Sequence, residues 1–296
     1  MKNDEGFSLF AGYLNYDITL RLNSNFNVGM RINSTIHTSV GGMAANAASI
    51  AASLGSRAIL FSGIGDDEIA QYLKFNLEKF GVNTSHLDLQ KGLRSPHCII
   101  QVESDGQRTI ISEKINFNYS KILHFLSENV SKVRIIYLDG YRLSDCDRLL
   151  EISKETGISL IIDLDGYEGD SIDLEKLSFF DSIILNKSLL NQLTGSVSLK
   201  EEKNYFKSLS SRKIICTCGV DGVETLYNGY FTKIPAPKVK VVDTTGAGDT
   251  FAGAYLHGLE KDTTFLENVE NAVKIASRST SFDGSVGLLM EDLKFD

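Results

Sequence analysis

Three features of the sequence predict an α/β fold on a mainly parallel sheet, with a small second sheet standing over a pocket. Short apolar runs recur, and most are followed by a turn and a helical pattern, the alternation that βαβ units produce. A few other runs alternate apolar with polar residues, as strands with one wet face do. Hydrophobic residues make up 42% of the 296, enough for a substantial core. There is no internal repeat, low-complexity tract or long linker, so residues 1–296 are expected to form a single domain.

Residues 7–12 read as a short buried strand. Ile18, Leu20 and Leu22 alternate weakly, an Asn-rich loop follows, and residues 34–40 return as a strand to Gly41-Gly42. Met43-Ala44-Ala45-Asn46-Ala47-Ala48 then opens a helix to about Leu54, whose alanines make a slim face for close packing. Asn46 is polar amid that face. It is either a tolerated surface amide or one turned toward a ligand, since amides both donate and accept. Residues 57–61 form a strand, 62–65 a turn, and Asp66 opens or caps a helix. The Gly63-Ile64-Gly65 triplet lacks the full dinucleotide fingerprint. Residues 97–103 and 107–112 flank Ser104-Asp105-Gly106, a hairpin turn. The lid strands are therefore expected within about 14–40 and 95–112.

The βα rhythm resumes with strands at 133–138, 158–163 and 182–185 and helices around 144–156 and 187–193. Asp139 and Asp163 fall just past two of these strands, the edge where open α/β sheets bind ligands, and Asp165 is close behind. Each is either a ligand or metal contact or an ordinary loop acid. Residues 213–217 form a strand, and the glycines of Cys218-Gly219-Val220-Asp221-Gly222 suit a loop beneath a flat or phosphorylated ligand or, equally, a hairpin turn. A polar hairpin over 222–235, an extended run over 238–242, a helix at 265–279 and a loop through Asp283-Gly284-Ser285 complete the chain.

The stretch with the most chemistry is Val242-Asp243-Thr244-Thr245-Gly246-Ala247-Gly248-Asp249-Thr250-Phe251. Its small residues permit a tight turn into a helix, where free N–H groups and the helix dipole attract an anion. A carboxylate beside an anion site repels the anion unless it is there to take a proton during phosphoryl transfer. Asp249 is thus a candidate base, against the alternative that Asp243, Thr244 and Thr245 cap the helix while Asp249 complements its dipole.

Thirty basic against thirty-eight acidic residues give a formal charge of −8 with no basic block, which argues against a nucleic-acid partner. No apolar run reaches about 18 residues, so no membrane span is expected. The first residues lack the order of a secretory signal. Four cysteines show neither disulfide-dense nor paired metal-ligand spacing, and a cytoplasmic location fits.

Gly41-Gly42-Met-Ala-Ala-Asn46 and Asp243-Thr-Thr-Gly-Ala-Gly-Asp249, in this order, resemble the ribokinase-like (PfkB-type) carbohydrate kinases over about residues 8–290. The resemblance implies a three-layer α/β/α sandwich with a β-sheet lid, transferring the ATP γ-phosphoryl group to a sugar hydroxyl. It makes Asp249 the catalytic base and Gly246, Ala247 and Gly248 the anion hole. Asp17, Gly42 and Asn46 match substrate-side positions, and Thr217, Gly219, Gly222 and Asn271 fall in nucleotide-side regions. Asp243 and the 279–284 loop fall where many members place a monovalent cation such as K⁺. Mg²⁺ is expected with the ATP, with Asn186 and a carboxylate such as Asp163 organising it.

One departure stands out. Many members have Asn-x-x-Glu where this chain has Asn186-Lys187-Ser188-Leu189, and a leucine cannot hold a metal's water. With Asp249 and the anion hole intact, an active kinase is favoured over a catalytically weak regulatory protein. The stretches Gly106-Gln107-Arg108-Thr109-Ile110 and Asp139-Gly140-Tyr141 lean toward the ketohexokinase and sulfofructose kinase branch, hence a ketose or an acidic or phosphorylated sugar. Asp139 is a candidate substrate contact, and Arg94, Arg108 and Arg142 are candidate partners for an anionic group. A nucleoside kinase is the alternative enzyme, and a homodimer paired through the lids is expected.

Overall fold

The computed structural model describes residues 6–22, 29, 31, 33–103, 108–167, 169, 171–261, 263–282 and 284. The chain opens with β1 (Phe7–Ala11), β2 (Asn15–Arg21), β3 (Thr35–Gly41), α1 (Met43–Ser53), β4 (Ala58–Phe61), β5 (Gly63–Gly65) and α2 (Glu68–Lys79). It continues with β6 (Asp88–Gln90), β7 (His97–Val102), β8 (Arg108–Ser112), α3 (Tyr119–Asn129), β9 (Val133–Asp139), α4 (Asp147–Thr156) and β10 (Ser159–Asp163). Last come α5 (Leu174–Leu177), β11 (Ser182–Asn186), α6 (Lys187–Thr194), β12 (Lys213–Thr217), β13 (Val223–Tyr227), β14 (Tyr230–Ile234), α7 (Ala247–Leu259) and α8 (Phe265–Ser279).

Eight strands form one sheet in the order β14-β13-β12-β11-β10-β9-β1-β4. Pairing is parallel from β12 to β4 and antiparallel through β12, β13 and β14. Strands covered on both faces are apolar on both, and the side chains divide by period two. Phe10 and Tyr137 pack with α1, α2, α7 and α8, whereas Leu9, Ile136 and Leu138 pack with α3, α4 and α6. This is the expected α/β/α sandwich. The register sets Asp163 beside Asp139 and Asn186 beside Thr217, so these polar residues share the carboxyl edge of the sheet.

The lid is a four-stranded sheet, β3-β2-β7-β8. β2 pairs antiparallel with β3 and parallel with β7, and β7 pairs antiparallel with β8. Asp17 and Arg21 share one face of β2, and their register partners Cys98 and Val102 join Ile100 in a small buried cluster. On the other face Ile36, Ile99 and Ile111 are exposed, the surface where two lids would meet if they paired.

Several expectations shift. Residues 62–65, read as a turn, contain β5, which pairs with β6 and buries Ile64 completely; three residues are too few for periodicity to reveal a strand. The run 238–242 joins no sheet, and Val239, Val241 and Val242 stay exposed. Helix α4 begins at Asp147, after a turn held by Asp145 N–H to Arg142 O. The Ser104-Asp105-Gly106 turn, and Asp283 and Ser285 of the last loop, lie outside the described residues. No helix among the described residues is long and apolar enough to cross a membrane.

The feature that positions the site is the contact between α1 and α7. A Cβ built on Gly253 of α7 would stand 2.5 Å from Ala47 O of α1, so only glycine permits this approach. Gly253→Val should therefore destabilise the protein by about 1–3 kcal/mol through overpacking. Urea unfolding checks this, and an unchanged midpoint would show that the two helices have room to spare.

Candidate active site

The site is assembled where β2, α1 and α7 begin or end above the carboxyl edge of the main sheet. Gly41 and Gly42 are sterically required. A Cβ on Gly41 would lie 2.0 Å from Asp17 Cγ, so the Asp17 carboxyl occupies the space above that glycine. Gly42 adopts φ 98°, in the left-handed region, and a Cβ there would lie 2.4 Å from Tyr13 O. This sharp entry sets Asn46 in the first turn of α1, its N–H bonded to Gly42 O.

Gly246, at φ 72°, turns the chain into α7, and no side chain caps that helix. The helix-cap alternative for Asp243, Thr244 and Thr245 is thus not what forms. The N–H groups of Gly248 and Asp249 meet no acceptor among the described residues, leaving an anion-attracting helix start. Asp249 sits in this first turn and accepts a hydrogen bond from Asn46 Nδ2 at 2.7 Å. Burial pushes the Asp249 carboxyl up to about 7, with the Asn46 bond opposing and the charges of Asp165 and Asp139 adding to the rise.

Asp17 lies nearby on the lid side. Burial and then the Asp249 charge push its carboxyl up to about 7 as well. Asn15 Oδ1, Asp17 Oδ1 and Asn46 Oδ1 are buried without a hydrogen-bond partner. Buried acceptors left unpaired are costly, and these three call for hydroxyl donors from a ligand. Sequence reasoning missed Asn15. It stands two residues before Asp17 on one strand, so period two alone would have placed it on the same face.

Asp139 is placed differently from expectation. It is fully buried beneath the Gly12–Tyr13 turn, where its Oδ2 accepts Tyr13 N–H at 2.6 Å. A Cβ on Gly12 would lie 2.0 Å from that oxygen, so Asp139 fixes the backbone ahead of β2 and is screened from any acceptor by it.

Beside α7 a cleft of about 690 Å³ is lined by Thr217, Gly219 and Gly222 below and by Val239, Val241 and Ala276 around it. It also reaches Ala247 and Gly248, which joins an apolar chamber to the helix start. Gly222, at φ 90°, passes so close to β14 that a Cβ would fall 2.0 Å from Ile234 O. The run 238–242, which joins no sheet, contributes Lys238, Val239 and Val241 to the wall of this cleft. Helix α8 lines it with Val273, Ala276, Ser277 and Thr280, one face at helical spacing. Asn271, two residues before Val273, points to the other face, is exposed and does not line the cleft.

Asn186 caps α6, its Oδ1 accepting Leu189 N–H at 2.8 Å while its Nδ2 donates to Asp165 Oδ1 at 2.9 Å. Leu189 itself is buried in the apolar layer beneath. Asp163 is buried, and burial followed by the Asp165 charge pushes it far above the usual carboxylate range. Such a donor set suits a hard cation. Among the described residues no three His, Cys, Asp or Glu side chains converge to hold one unaided.

Asp243 is occupied. Arg21 Nη2 donates to its Oδ2 at 2.9 Å and Arg108 Nη2 to its Oδ1 at 2.6 Å. The Thr245 N–H and hydroxyl and the Gly284 N–H also donate to it. Burial raises its pKa, but the Thr245, Gly284 and Arg108 contacts outweigh burial and hold it well below the usual range. A carboxylate so engaged does not fit a K⁺ ligand. Arg108 also donates to Thr244 Oγ1 at 3.1 Å, so it faces the helix start rather than a sugar. Arg94 pairs with Glu113, and Arg142 with Asp145 at 3.1 Å.

A βα sandwich whose lid meets a carboxylate at a free helix start has the architecture of a ribokinase-like phosphotransferase. Residues 7–286 match the pfkB family carbohydrate kinases, and the chain belongs to that family and is a kinase of this type. It is 27% identical over 268 residues to the ribokinase of Haemophilus influenzae, covering 86% of each chain. It is 23% identical over 261 residues to the ketohexokinase of Mus musculus, covering 84% of this chain and 87% of that one. The fold matches that of Arabidopsis thaliana ribokinase complexed with ribose and ATP, with TM-score 0.83, 23% identity and coverage of 98% and 99%. These similarities give no strong signal for the ketohexokinase and sulfofructose kinase branch in particular.

The two lid arginines on Asp243 make a measurable expectation. Replacing both Arg21 and Arg108 with Gln should speed hydrogen exchange in β7 and β8 while leaving β9 and β10 protected. Equal exchange in wild type and variant would show that these pairs do not hold the lid.

Proposed function

We propose that this chain transfers the γ-phosphoryl group of ATP to a primary hydroxyl of a neutral sugar. The observation that carries this reading is the Asn46–Asp249 bond of 2.7 Å, set among unpaired buried acceptors and beside a free helix start. Asn15, Asp17 and Asn46 would hold neighbouring hydroxyls of the acceptor. Asp249 would take the proton of the attacking hydroxyl, and its raised pKa suits a base that works near neutrality. The N–H groups of Gly248 and Asp249 at the start of α7 would stabilise charge on the transferring oxygens. Thr217, Gly219 and Gly222 with the valine wall would house the nucleoside part of ATP. Mg²⁺, when bound with the nucleotide, would supply charge neutralisation, and Asp163, Asp165 and Asn186 would hold it.

Sugar chemistry is supported over a nucleoside by the hydroxyl-seeking acceptors. Tyr13 and Tyr141 pack ring against ring, centroids 4.4 Å apart, rather than standing open to sandwich a base. The engagement of Arg94, Arg108 and Arg142 by acids favours a neutral aldose or ketose over an anionic sugar.

ATP turnover with a panel of aldoses, ketoses, sugar phosphates and nucleosides tests the assignment. At least one neutral sugar should be phosphorylated, and Asp249→Asn should lose roughly 10²–10⁴-fold in kcat while still binding ADP. Near-wild-type turnover in that variant would reject Asp249 as the base.

The pH profile gives a second check. The base works ionised, so kcat/KM should rise with pH and level off above about 7, with Asp17 titrating in the same range. The Asn46 hydrogen bond lowers the Asp249 pKa, so Asn46→Ala should move the rise to higher pH. An unmoved midpoint would mean that another group sets it.

A further inference from the structure

Two thiols lie behind the turn that lines the cleft beside α7. Cys216 and Cys218 stand two residues apart at the end of β12, so period two turns both to the same side. That side is the apolar layer under α6, where both are buried. Thr217, between them, turns the other way and lines the cleft, as does Gly219 just beyond. The two sulfurs therefore back directly onto the stretch of chain that faces the cleft.

The pair is hydrogen-bonded, sulfur to sulfur, and Cys218 Sγ also donates to Cys216 O at 3.5 Å. The shared bond makes the two thiols unequal. It favours a thiolate on Cys218, whose pKa is lowered, and keeps the proton on Cys216, whose pKa is raised beyond the ordinary thiol range. Burial and the Glu224 charge oppose a thiolate on Cys218, and Lys187 favours it. Cys218 is also the one that reaches solvent, at 8% exposed against 0% for Cys216. A thiolate beside a protonated partner is the arrangement from which a disulfide forms. The other two cysteines lack it. Burial pushes Cys98 up to about 12 in the lid and Cys146 up to about 11 ahead of α4.

A bond between these sulfurs would reshape the turn. Disulfides hold their Cα atoms about 5.5–6 Å apart, whereas residues i and i+2 of an extended strand stand roughly 6.6–7 Å apart. Joining the two must therefore fold the chain at Thr217. The turn has little slack to absorb this. Cys218 N–H donates to Gly222 O at 2.8 Å, and Gly222 N–H donates to Gly219 O at 3.0 Å. Gly222 is itself pressed against Ile234 O, which a Cβ would approach to 2.0 Å. Movement at Thr217 is thus passed to Gly219 and Gly222, which line the same cleft.

We propose that Cys216 and Cys218 are a reversible oxidation site, closed to a disulfide by hydrogen peroxide, and that closing it weakens nucleotide binding. The Cys218 thiolate attacks one peroxide oxygen, the O–O bond breaks, and the departing hydroxide takes up a proton as water. Cys218 is then a sulfenic acid. The Cys216 sulfur attacks it, the S–S bond forms, and the sulfenic hydroxyl leaves with the Cys216 proton as a second water. The two thiols lose two electrons and the peroxide gains two. A dithiol such as dithiothreitol reverses the change by exchange. The site stands on the geometry of the thiols, and its effect on the nucleotide rests on the kinase reading above.

Mass spectrometry of peroxide-treated protein, with free thiols blocked after unfolding, tests the first half, and calorimetric titration of the same samples with ADP tests the second. The peptide holding Cys216 and Cys218 should lose two hydrogens, while Cys98 and Cys146 remain free to be blocked. ADP affinity should fall roughly tenfold and return with dithiothreitol. Cys218→Ser should bind ADP as reduced wild type does and keep that affinity in peroxide. Cys216→Ala should stop at a sulfenic acid on Cys218, which dimedone traps. Wild type that binds ADP but forms no Cys216–Cys218 bond overturns the proposal without recourse to any variant. A bond that forms with no change in ADP affinity overturns the effect on the nucleotide, as does a peroxide-induced loss that persists in Cys218→Ser. If reduced wild type binds no ADP, the kinase reading fails and the effect on the nucleotide fails with it.

Discussion

Everything at the site depends on how closely α1 and α7 approach. Alanines on one helix and Gly253 on the other let the backbones nearly touch, with Ala47 O filling the space a side chain would need. Both helices start above the same sheet edge, so bringing their axes together also brings their first turns together. Asn46 and Asp249 are 203 residues apart in sequence and 2.7 Å apart in space for this reason. A bulkier seam would leave each residue in place on its own helix and separate the pair. Catalytic geometry here is thus a by-product of core packing, which makes it rigid.

The same edge gathers more negative charge than it neutralises. Asp17, Asp139 and Asp249 are each pushed up to about 7, first of all by burial, and burial also pushes Asp163 well above the ordinary carboxylate value. A fold optimised only for stability would replace these acids with apolar residues or pair each with a base. Elsewhere an acid is given donors instead: Asp67 caps α2 and also receives the Ser95 N–H and hydroxyl, and its pKa is lowered. The contrast marks the carboxyl edge as a place where charge is left over for ligands. Sugar hydroxyls can satisfy the acceptors on the lid side, and a cation can satisfy those near α6. The two kinds of demand are separated by Asp249, which is where a hydroxyl and a phosphoryl group would meet.

The fold was legible because its signals are local and repeated. Short apolar runs buried on both faces, such as those just ahead of Asp139 and Asp163, announce a parallel sheet wherever they occur. Asp249 was legible as an oddity, a carboxylate in an anion-attracting turn. Asn15 and Arg21 were not, because the mixed hydropathy of β2 does not show which face looks inward, although period two puts both on the face of Asp17. Asp139 was read as a ligand contact from its position at a strand end, but position along a strand does not say whether a loop passes above. Here the Gly12–Tyr13 backbone covers it. Asn271 failed for a similar reason, since its neighbours line the cleft and its own direction on the helix is opposite.

Asp243 shows how one side chain can serve both halves of the molecule. Through Thr245 and Gly284 it ties the turn before α7 to the segment beyond α8, and through Arg21 and Arg108 it ties that turn to two strands of the lid. Its lowered pKa follows from satisfying so many donors at once. An isolated cation would satisfy the same carboxylate without touching the lid. Arginines do both, because the charge arrives on side chains anchored in β2 and β8. The position of the lid and the conformation of the turn before α7 are therefore joined through a single carboxylate. Whatever moves one of them must do work on the other.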